Sequence, residues 1–276
     1  MQDSPLPQET GAVATLHDAL DPARAAAFLI ALGREGRISV GDELPPFFHQ
    51  LYFWTPQPPE LLGRDGHPSL AASGLIPDLG LPRRMWAGGR LEFHQPLLAG
   101  IPAEKRSLRE SYSRKEGRSG PLGFVTLRHE IWQEDRHCLT EWHDLVYRED
   151  PVSGAPKPTP PEARRDEAVS RRLGFSSTLL FRYSALTFNG HRIHYDLDYA
   201  RDVEGYAGLV VHGPLLAQNL MLLAQEQLGA LAAFSFRATA PLMHFEEADF
   251  CFKDGALWVR GPYGRQCMQA RAVAKS

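Results

Sequence analysis

Two histidines and an asparagine in one short polar segment are the residues of this sequence best suited to moving a proton. Residues 189–194 read Asn-Gly-His-Arg-Ile-His and follow a run rich in Leu, Phe, Tyr and Thr. An imidazole exchanges a proton near neutral pH, so a histidine delivered by this segment could act as a general acid or base. His191 and His194 could also ligate a metal, but two histidines three positions apart are a weak signal without further ligands, and we predict no metal.

A second segment, residues 205–213, is rich in glycine and runs into the clearest predicted helix of the chain, Gly213–Leu228. The first N–H groups of a helix have no acceptor within it, and they lie at the positive end of the helix dipole. The helix start at Gly213 is therefore a predicted place to polarise a carbonyl or bind an anion. Gly208 and Gly213 would both allow close approach of the backbone.

The elements that must position these loops alternate between helix and strands. Asp21 and Pro22 predict a helix that ends at Gly33. Strands are predicted at residues 89–95, 103–114, 122–133 and 139–147 in the first half, and at 177–188, 232–238, 248–252, 257–259 and 265–273 in the second. Residues 1–20 read as irregular, and residues 41–54 could include one strand. One helix followed by antiparallel strands, twice over, predicts an α+β fold with internal structural duplication.

Two segments rich in proline interrupt this order. Residues 55–90 lack clear periodicity, and a segment of that length is usually an ordered functional excursion or a mobile loop. Five prolines between positions 149 and 161 exclude a helix or a central strand there. We therefore predict an N-terminal unit at 1–150, a linker at 151–167 and a C-terminal unit at 168–276.

Composition excludes several classes of protein. The 276 residues carry a formal charge of −3 and a pI near 6.4, which argues against a nucleic-acid partner. Three scattered cysteines form no disulfide framework and no C-x-x-C pair, which argues against a structural zinc site. No segment predicts a membrane span or a secretory signal, so we expect a cytoplasmic protein with no membrane partner.

The two loops together resemble the MaoC-like hydratase-2 family of hot-dog-fold enzymes. Ile193-His194-x-Asp196, Ala200 and His212-Gly213 match the family pattern in order and spacing. Residues 188–194 are similar to the F-N-x-H-[KR]-I-H pattern of one branch, which includes mesaconyl-CoA and itaconyl-CoA hydratases and mitochondrial 3-hydroxyacyl-thioester dehydratases type 2. Residues 83–89 and 117–122 also resemble that branch, so the resemblance extends from about residue 20 onward.

The resemblance implies a double hot-dog, in which two antiparallel sheets are each wrapped around a helix as a pseudo-dimer in one chain. The N-terminal unit would lack the catalytic motif. The implied reaction is hydration of a 2-enoyl-CoA thioester or dehydration of a 3-hydroxyacyl-CoA thioester, without a cofactor. Mesaconyl-CoA, itaconyl-CoA and straight-chain enoyl thioesters are all candidate substrates, and a homodimer or higher homo-oligomer is expected.

The resemblance also assigns roles to residues. His194 would be the general base, and Asn189, which stands where the family has an aspartate, would orient the water. Amides of His212 or Gly213 would hold the thioester oxygen, with further substrate contacts from Arg192, Tyr195 and Gly208. Four alternatives stay open at this point. His194 could be structural, Arg192 could be a surface residue, Asp196 could cap the next turn, and residues 83–89 could form a lid or pack between the units.

Other functions remain as alternatives. A hot-dog thioesterase would need a carboxylate directed at the thioester carbonyl from the central helix, but the first one after Gly213 is Glu226, far along the helix. A 3-hydroxyacyl-ACP dehydratase would use the same chemistry on another carrier. A non-catalytic acyl-CoA-binding subunit is the third alternative, because an amide at position 189 cannot accept a proton as a carboxylate does.

Overall fold

Ten antiparallel strands form one continuous sheet in the computed structural model, which describes residues 13–69, 74–117, 120–150 and 159–276. Their order across the sheet is β1-β3-β4-β5-β2-β7-β10-β9-β8-β6. The strands are β1 Ala14–Asp18, β2 Arg83–Phe93, β3 Ala103–Gly117, β4 Gly120–Gln133, β5 Arg136–Arg148, β6 Val169–Gly174, β7 Leu231–Ala238, β8 Glu247–Lys253, β9 Ala256–Arg260 and β10 Gln266–Ala274. The first five strands in sequence thus form one half of the sheet and the last five the other.

Pairing between β2 and β7 joins the two halves. The register runs from Gly88 opposite Arg237 to Glu92 opposite Ala233. Both positions Gly88 and Gly89 need glycine, because a Cβ at Gly88 would lie 2.5 Å from the carbonyl oxygen of Phe236 and one at Gly89 would lie 2.6 Å from that of Trp142. Of the two alternatives left open for residues 83–89, this pairing favours packing between the two halves of the sheet.

Within the described residues, three helices accompany the sheet: α1 Pro22–Ala31, α2 Ser177–Thr187 and α3 Gly213–Leu228. Asp21 caps α1 as predicted, with its carboxylate accepting a hydrogen bond from the Ala23 N–H at 2.9 Å. The predicted bounds of α3 are confirmed. Its side chains are buried around most of its circumference, and it packs against β7 to β10.

The predicted strand over residues 177–188 is wrong, because these residues form α2. The hydroxyl of Ser176 caps this helix by accepting a hydrogen bond from the Leu179 N–H at 3.2 Å. Its buried residues, Leu180, Tyr183 and Ser184, recur at helical spacing. A composition rich in Leu, Phe and Tyr suits a buried strand equally well, so the cap was the more informative signal.

Short elements account for the remaining differences. Residues 41–54 hold a 3₁₀ turn, Phe48–Leu51, instead of a strand. β1 and β6 were not predicted; they are the two edge strands of the sheet and are largely exposed, so they lack apolar alternation. Part of the predicted linker, residues 151–158, lies outside the described residues, as do residues 118 and 119 of the resembling segment 117–122.

Candidate active site

His194 is held in one tautomer at the end of a short 3₁₀ turn, Arg192–His194. Its Nδ1 lies 2.7 Å from the carbonyl oxygen of Val210, which can only accept, so Nδ1 carries the proton. Among the described residues Nε2 has no hydrogen-bond partner. Burial lowers the pKa of His194 to about 3 although the Val210 carbonyl opposes this, so the imidazole is neutral and able to accept a proton.

His212 packs behind His194. The two rings stack with centroids 3.6 Å apart and an interplanar angle of 21°. Nε2 of His212 lies 2.9 Å from the hydroxyl of Ser184 on α2, and the side chain is fully buried. Burial lowers the pKa of His212 well below its ordinary value, and the neighbouring His194 and His191 lower it further. Its side chain therefore supports the ring of His194, and a contact with substrate could come only from its backbone.

The start of α3 offers two free backbone donors next to these rings. The N–H groups of Leu215 and Leu216 both donate to the carbonyl of His212, and Pro214 has no N–H. Within the described part of the chain, the N–H groups of His212 and Gly213 donate to no acceptor. A Cβ at Gly213 would meet no atom within 4 Å, so there is room in front of these donors. Two free backbone donors at a helix start could hold a developing negative charge on oxygen.

Asn189 is partly engaged in its own turn. Its Oδ1 accepts a hydrogen bond from the backbone N–H of His191 at 2.9 Å, and its own N–H donates to the carbonyl of Ser184 at 2.8 Å. The side-chain NH₂ group is left as the part of Asn189 that could orient a water. Its predicted role in holding water stays a prediction.

Arg192 and Asp196 are paired with each other. Nη2 of Arg192 lies 2.7 Å from the Asp196 carboxylate, and the guanidinium lies 4.3 Å from the centre of the Tyr199 ring. Asp196 also accepts a hydrogen bond from the Tyr199 N–H at 3.0 Å, which confirms the predicted capping role. A substrate contact by Arg192 stays a prediction, and it would compete with this pair.

Two other predicted substrate contacts lie in structural positions. The half-exposed Tyr195 donates its hydroxyl hydrogen to the carbonyl of Gly190 at 2.8 Å. A Cβ at Gly208 would lie 2.7 Å from the Phe245 ring, so this glycine allows close packing against that ring. Contacts of either residue with substrate stay predictions.

The sequence did not indicate that Asp65 and His67 of the N-terminal half lie at this site. A turn at residues 63–68 places Asp65 and His67 beside His191, so that one ligand atom of each lies within 4.8 Å of the others. Two histidines and one carboxylate could hold a metal ion. Two of the three residues come from the N-terminal half, and of the two histidines considered in the sequence the group includes His191 but not His194. The signal that could have found them is the close spacing of an acid and an imidazole, Asp65-Gly66-His67, in a segment otherwise rich in proline and glycine.

A buried ion pair also joins the halves near this site. Nε of Arg83 on β2 lies 2.6 Å from the carboxylate of Glu204, which follows the catalytic loop in sequence, and both side chains are 5% exposed. Arg83 also donates to the carbonyl of Glu204 at 3.4 Å. The strand that carries the resembling segment 83–89 is therefore tied directly to the loops of the C-terminal half.

The chain is similar to proteins of known family. Residues 47–244 match the model of the hydroxyacyl-thioester dehydratase type 2 family. A mesaconyl-C(4)-CoA hydratase of Chloroflexus aurantiacus is 46% identical over 217 residues, which cover 78% of this chain and 76% of that protein. The predicted resemblance is thereby confirmed.

Solved structures show the fold. HtdX of Mycobacterium tuberculosis superimposes with a TM-score of 0.68 at 18% identity, covering 96% of this chain and all of that one. Another Mycobacterium tuberculosis protein, described as having a double hot-dog fold, superimposes with a TM-score of 0.57 at 14% identity. The superposition covers 96% of this chain and 95% of that one. The predicted double hot-dog is confirmed, with its two sheets continuous through β2 and β7. Among the helices of the described residues, none has the length and apolar character needed to cross a bilayer.

Proposed function

This chain belongs to the hydroxyacyl-thioester dehydratase type 2 family, and we propose that it is a hydro-lyase that hydrates 2-enoyl-CoA thioesters or dehydrates the corresponding 3-hydroxyacyl-CoA thioesters. The similarity to a mesaconyl-C(4)-CoA hydratase favours a branched dicarboxylic acyl group. One observation carries the proposal: a neutral imidazole with a free Nε2 is stacked on the residue that opens α3, where two backbone N–H groups are free.

The start of α3 would polarise the substrate. With the thioester oxygen at the N–H groups of His212 and Gly213, electron density moves from the C2–C3 double bond toward that oxygen, and C3 becomes electrophilic. Each such donor typically contributes about 10²–10³-fold to the rate. The helix dipole adds a fixed positive potential where the enolate charge develops.

His194 would then move the proton. Its Nε2 accepts a proton from water while the water oxygen bonds to C3, and the enolate forms. The imidazolium returns that proton to C2, so the elements of water are added and the base is regenerated. The hydrogen bond from Nδ1 to Val210 keeps the electron pair of the neutral ring on Nε2, where it accepts the proton of water. The NH₂ group of Asn189 would help to orient the water.

The site draws on both halves of the chain, which suits the proposed division into units at 1–150 and 168–276. Association into a homodimer or higher oligomer stays a prediction. A thioesterase is disfavoured because Glu226, the first carboxylate of α3, pairs with Arg34 and Arg171 at 2.7 and 2.8 Å, near the far end of the helix from the oxyanion hole.

A substrate assay with the His194→Ala variant tests the proposal. With the wild-type protein, the absorbance of the enoyl thioester in crotonyl-CoA or mesaconyl-C4-CoA should decrease, and no free thiol should be released. The variant should lose about 10²–10⁴-fold in kcat, as expected for removal of a positioned base. His17→Ala, on the exposed edge strand β1, is the matched control.

The outcomes separate the alternatives. Near-normal kcat in the variant would remove His194 from the mechanism. Release of free thiol by the wild type would show a thioesterase, and no reaction of either kind would support an acyl-CoA binder. Asn189→Asp should retain activity if position 189 orients water as in the family.

A further inference from the structure

A turn of the N-terminal half is fastened to the catalytic loop by backbone contacts. The carbonyl of Asp65 accepts a hydrogen bond from the Arg192 N–H at 2.8 Å, and that of Arg64 accepts one from the Arg192 side chain at 3.1 Å. A Cβ at Gly66 would lie 2.1 Å from the carbonyl oxygen of Gly190, and a Cβ at Gly190 would lie 2.6 Å from that of Gly66. The two loops are in contact at their backbones, so side chains on one hold a fixed position relative to the other.

This fixed contact places a carboxylate at the end of a row of imidazoles. Asp65 Oδ1 accepts the backbone N–H of His67 at 3.1 Å, and Oδ2 lies 3.3 Å from its Nδ1. The ring of His67 lies 4.6 Å from that of His191, which lies 5.3 Å, edge to face, from that of His194 (centroid distances). The row leads from Asp65 to the proposed general base.

Asp65 differs from the other carboxylates close to the site. Asp196 is neutralised by Arg192, and Glu204 by Arg83. Within the described ranges, Asp65 has no ion pair with a lysine or arginine, and the partner of its carboxylate is an imidazole. Burial alone would raise the pKa of Asp65, but the close His67 side chain and the backbone N–H of His67 outweigh it and lower the pKa to about 2, so the carboxylate is ionised.

His191 is the residue on which this carboxylate can act. Burial, together with His67, His194 and Arg84, lowers its pKa to about 2, while Asp65 opposes the shift. His191 is therefore neutral, and one of its ring nitrogens is an acceptor. Among the described residues, its side chain has no hydrogen bond. One ring nitrogen of His191 lies within 4.8 Å of a carboxylate oxygen of Asp65, and this negative charge favours a proton on that nitrogen.

We propose that Asp65 and His67 are positioning residues that fix the tautomer and ring orientation of His191, so that His191 and His194 hold the reacting water between them. The proposal rests on the proposed hydratase function. It assigns to the N-terminal half the carboxylate that position 189 does not provide. An acid that orients an imidazole, which in turn acts on the reacting group, is a recurrent device of enzymes that activate a hydroxyl or water.

The same three side chains could instead bind a transition metal, but His67 already contacts both oxygens of the Asp65 carboxylate. Its Nδ1 lies 3.3 Å from Oδ2 without forming a hydrogen bond, and its backbone N–H donates to Oδ1. A metal would require these groups to direct their lone pairs at one common point. Metal binding is therefore treated as an outcome that would overturn the proposal.

The first measurement needs no turnover. Long-range ¹H–¹⁵N correlation spectra of protein labelled with ¹⁵N-histidine report the tautomer of each neutral ring, and His67→Gln and His191→Gln assign the signals. We expect one tautomer for His191 in the wild type and a mixture in Asp65→Asn. Asp150→Asn, which removes the ion pair with Arg64 on the exposed side of the same turn, is the matched control and should leave the His191 signals unchanged.

The second measurement is kinetic. Asp65→Asn and His67→Gln should each lower kcat roughly 10–100-fold, a part of what a positioned base contributes, with KM changed by less than about threefold. The double variant should be no slower than the slower single variant, because residues that act as a unit are not additive. Asp150→Asn should keep wild-type kcat.

Three results would overturn the proposal. Unchanged kcat in Asp65→Asn is one. Another is a fall in kcat and melting temperature with the His191 tautomer unchanged, which would show a structural role. The third is activity lost on chelation and restored by Zn²⁺, which would make the three residues ligands. If wild-type protein hydrates no enoyl-CoA, the proposed function fails, while the tautomer spectra still show whether Asp65 controls His191.

Discussion

The two halves of the sheet bury inner faces that differ in one respect, a polar cluster on the N-terminal face. In the C-terminal half, Phe250, Val259 and Met268 pack with the buried side chains of α3 in an apolar core. In the N-terminal half, one row across the strands places Leu91, Glu141, His129 and Ser107 side by side. The N-terminal face therefore combines apolar residues such as Ile131 and Leu145 with a buried polar cluster, whereas the face under α3 is packed by apolar residues.

The polar face depends on Glu141. This residue has 0% exposure, and its carboxylate lies 2.9 Å from Nε2 of His49, 3.0 Å from that of His143 and 2.7 Å from the Gln50 amide. Burial alone would raise the pKa of Glu141, but His143 and His49 outweigh it and hold the pKa well below its ordinary value. Two of these donors come from the 3₁₀ turn Phe48–Leu51, which covers the N-terminal face as α3 covers the C-terminal face.

The difference teaches that the two faces should respond differently to the same kind of change. An apolar face requires volume and tolerates changes of shape. A buried carboxylate requires hydrogen-bond donors at particular positions. If the carboxylate is removed, the desolvation of those donors is no longer compensated by a hydrogen bond, and the folded state is destabilised.

The largest effect is expected from Glu141→Ala. It leaves the buried His49 and the partly buried Gln50 and His143 around an absent acceptor, so the free energy of unfolding should fall by about 3–5 kcal/mol. Urea denaturation measures this. Glu130→Ala on the neighbouring strand removes a partly exposed carboxylate and should cost less than about 1 kcal/mol. Equal losses in the two variants would mean that the polar cluster is not what stabilises the N-terminal face.

Conservative substitutions on the two faces should also differ in their effect on the free energy of unfolding, but by less. Glu141→Gln keeps the shape but places an NH₂ group among donors, so we expect a loss of about 1–3 kcal/mol. Met268→Leu, opposite Val259 on the apolar face, keeps the volume and should cost less than about 1.5 kcal/mol. Denaturation curves that reversed this order would contradict the contrast between the faces.

The smallest effect concerns pH. In the folded state, burial lowers the pKa of His129 well below its ordinary value, and the nearby Lys105 and His143 lower it further. In the unfolded chain, His129 takes up a proton below about pH 6.5. The folded state therefore loses stability as the pH falls below 6.5. His129→Gln should reduce this loss by up to about 1.4 kcal/mol per pH unit.

Denaturation midpoints of wild type and His129→Gln at pH 8.0, 6.5 and 5.5 measure this slope. The pH 8.0 curve is the internal control, because both states are neutral at this position and the difference there reflects only the lost contact with Ser107. Parallel slopes in the two proteins would contradict a neutral buried His129.

The sequence was most informative where local signals coincide. A glycine at each end and an apolar circumference are enough to bound α3 at Gly213 and Leu228. Alternation along residues 139–147 placed Glu141 and His143 on one side of their strand, but it could not show that this side is buried. Residues 177–188 show the opposite case, in which composition outweighed the cap at Ser176 and the predicted strand was wrong.

The contribution of the N-terminal half to the site lay beyond local signals. Asp65 and His191 are separated by 126 positions, and their approach depends on the whole sheet and on β2 pairing with β7. The family pattern identifies His194 and the start of α3, because those residues are close in sequence. It says nothing of a neighbour supplied by the other half.

The contact between Gly66 and Gly190 also constrains how this protein can be changed. At each position a side chain would collide with a backbone oxygen of the other loop, so no choice of side chain at the second position can relieve a substitution at the first. The two loops therefore form a single module for evolution and for engineering. Chimeras and directed-evolution libraries that alter the acyl specificity should carry residues 63–68 and 189–196 together, from the same parent.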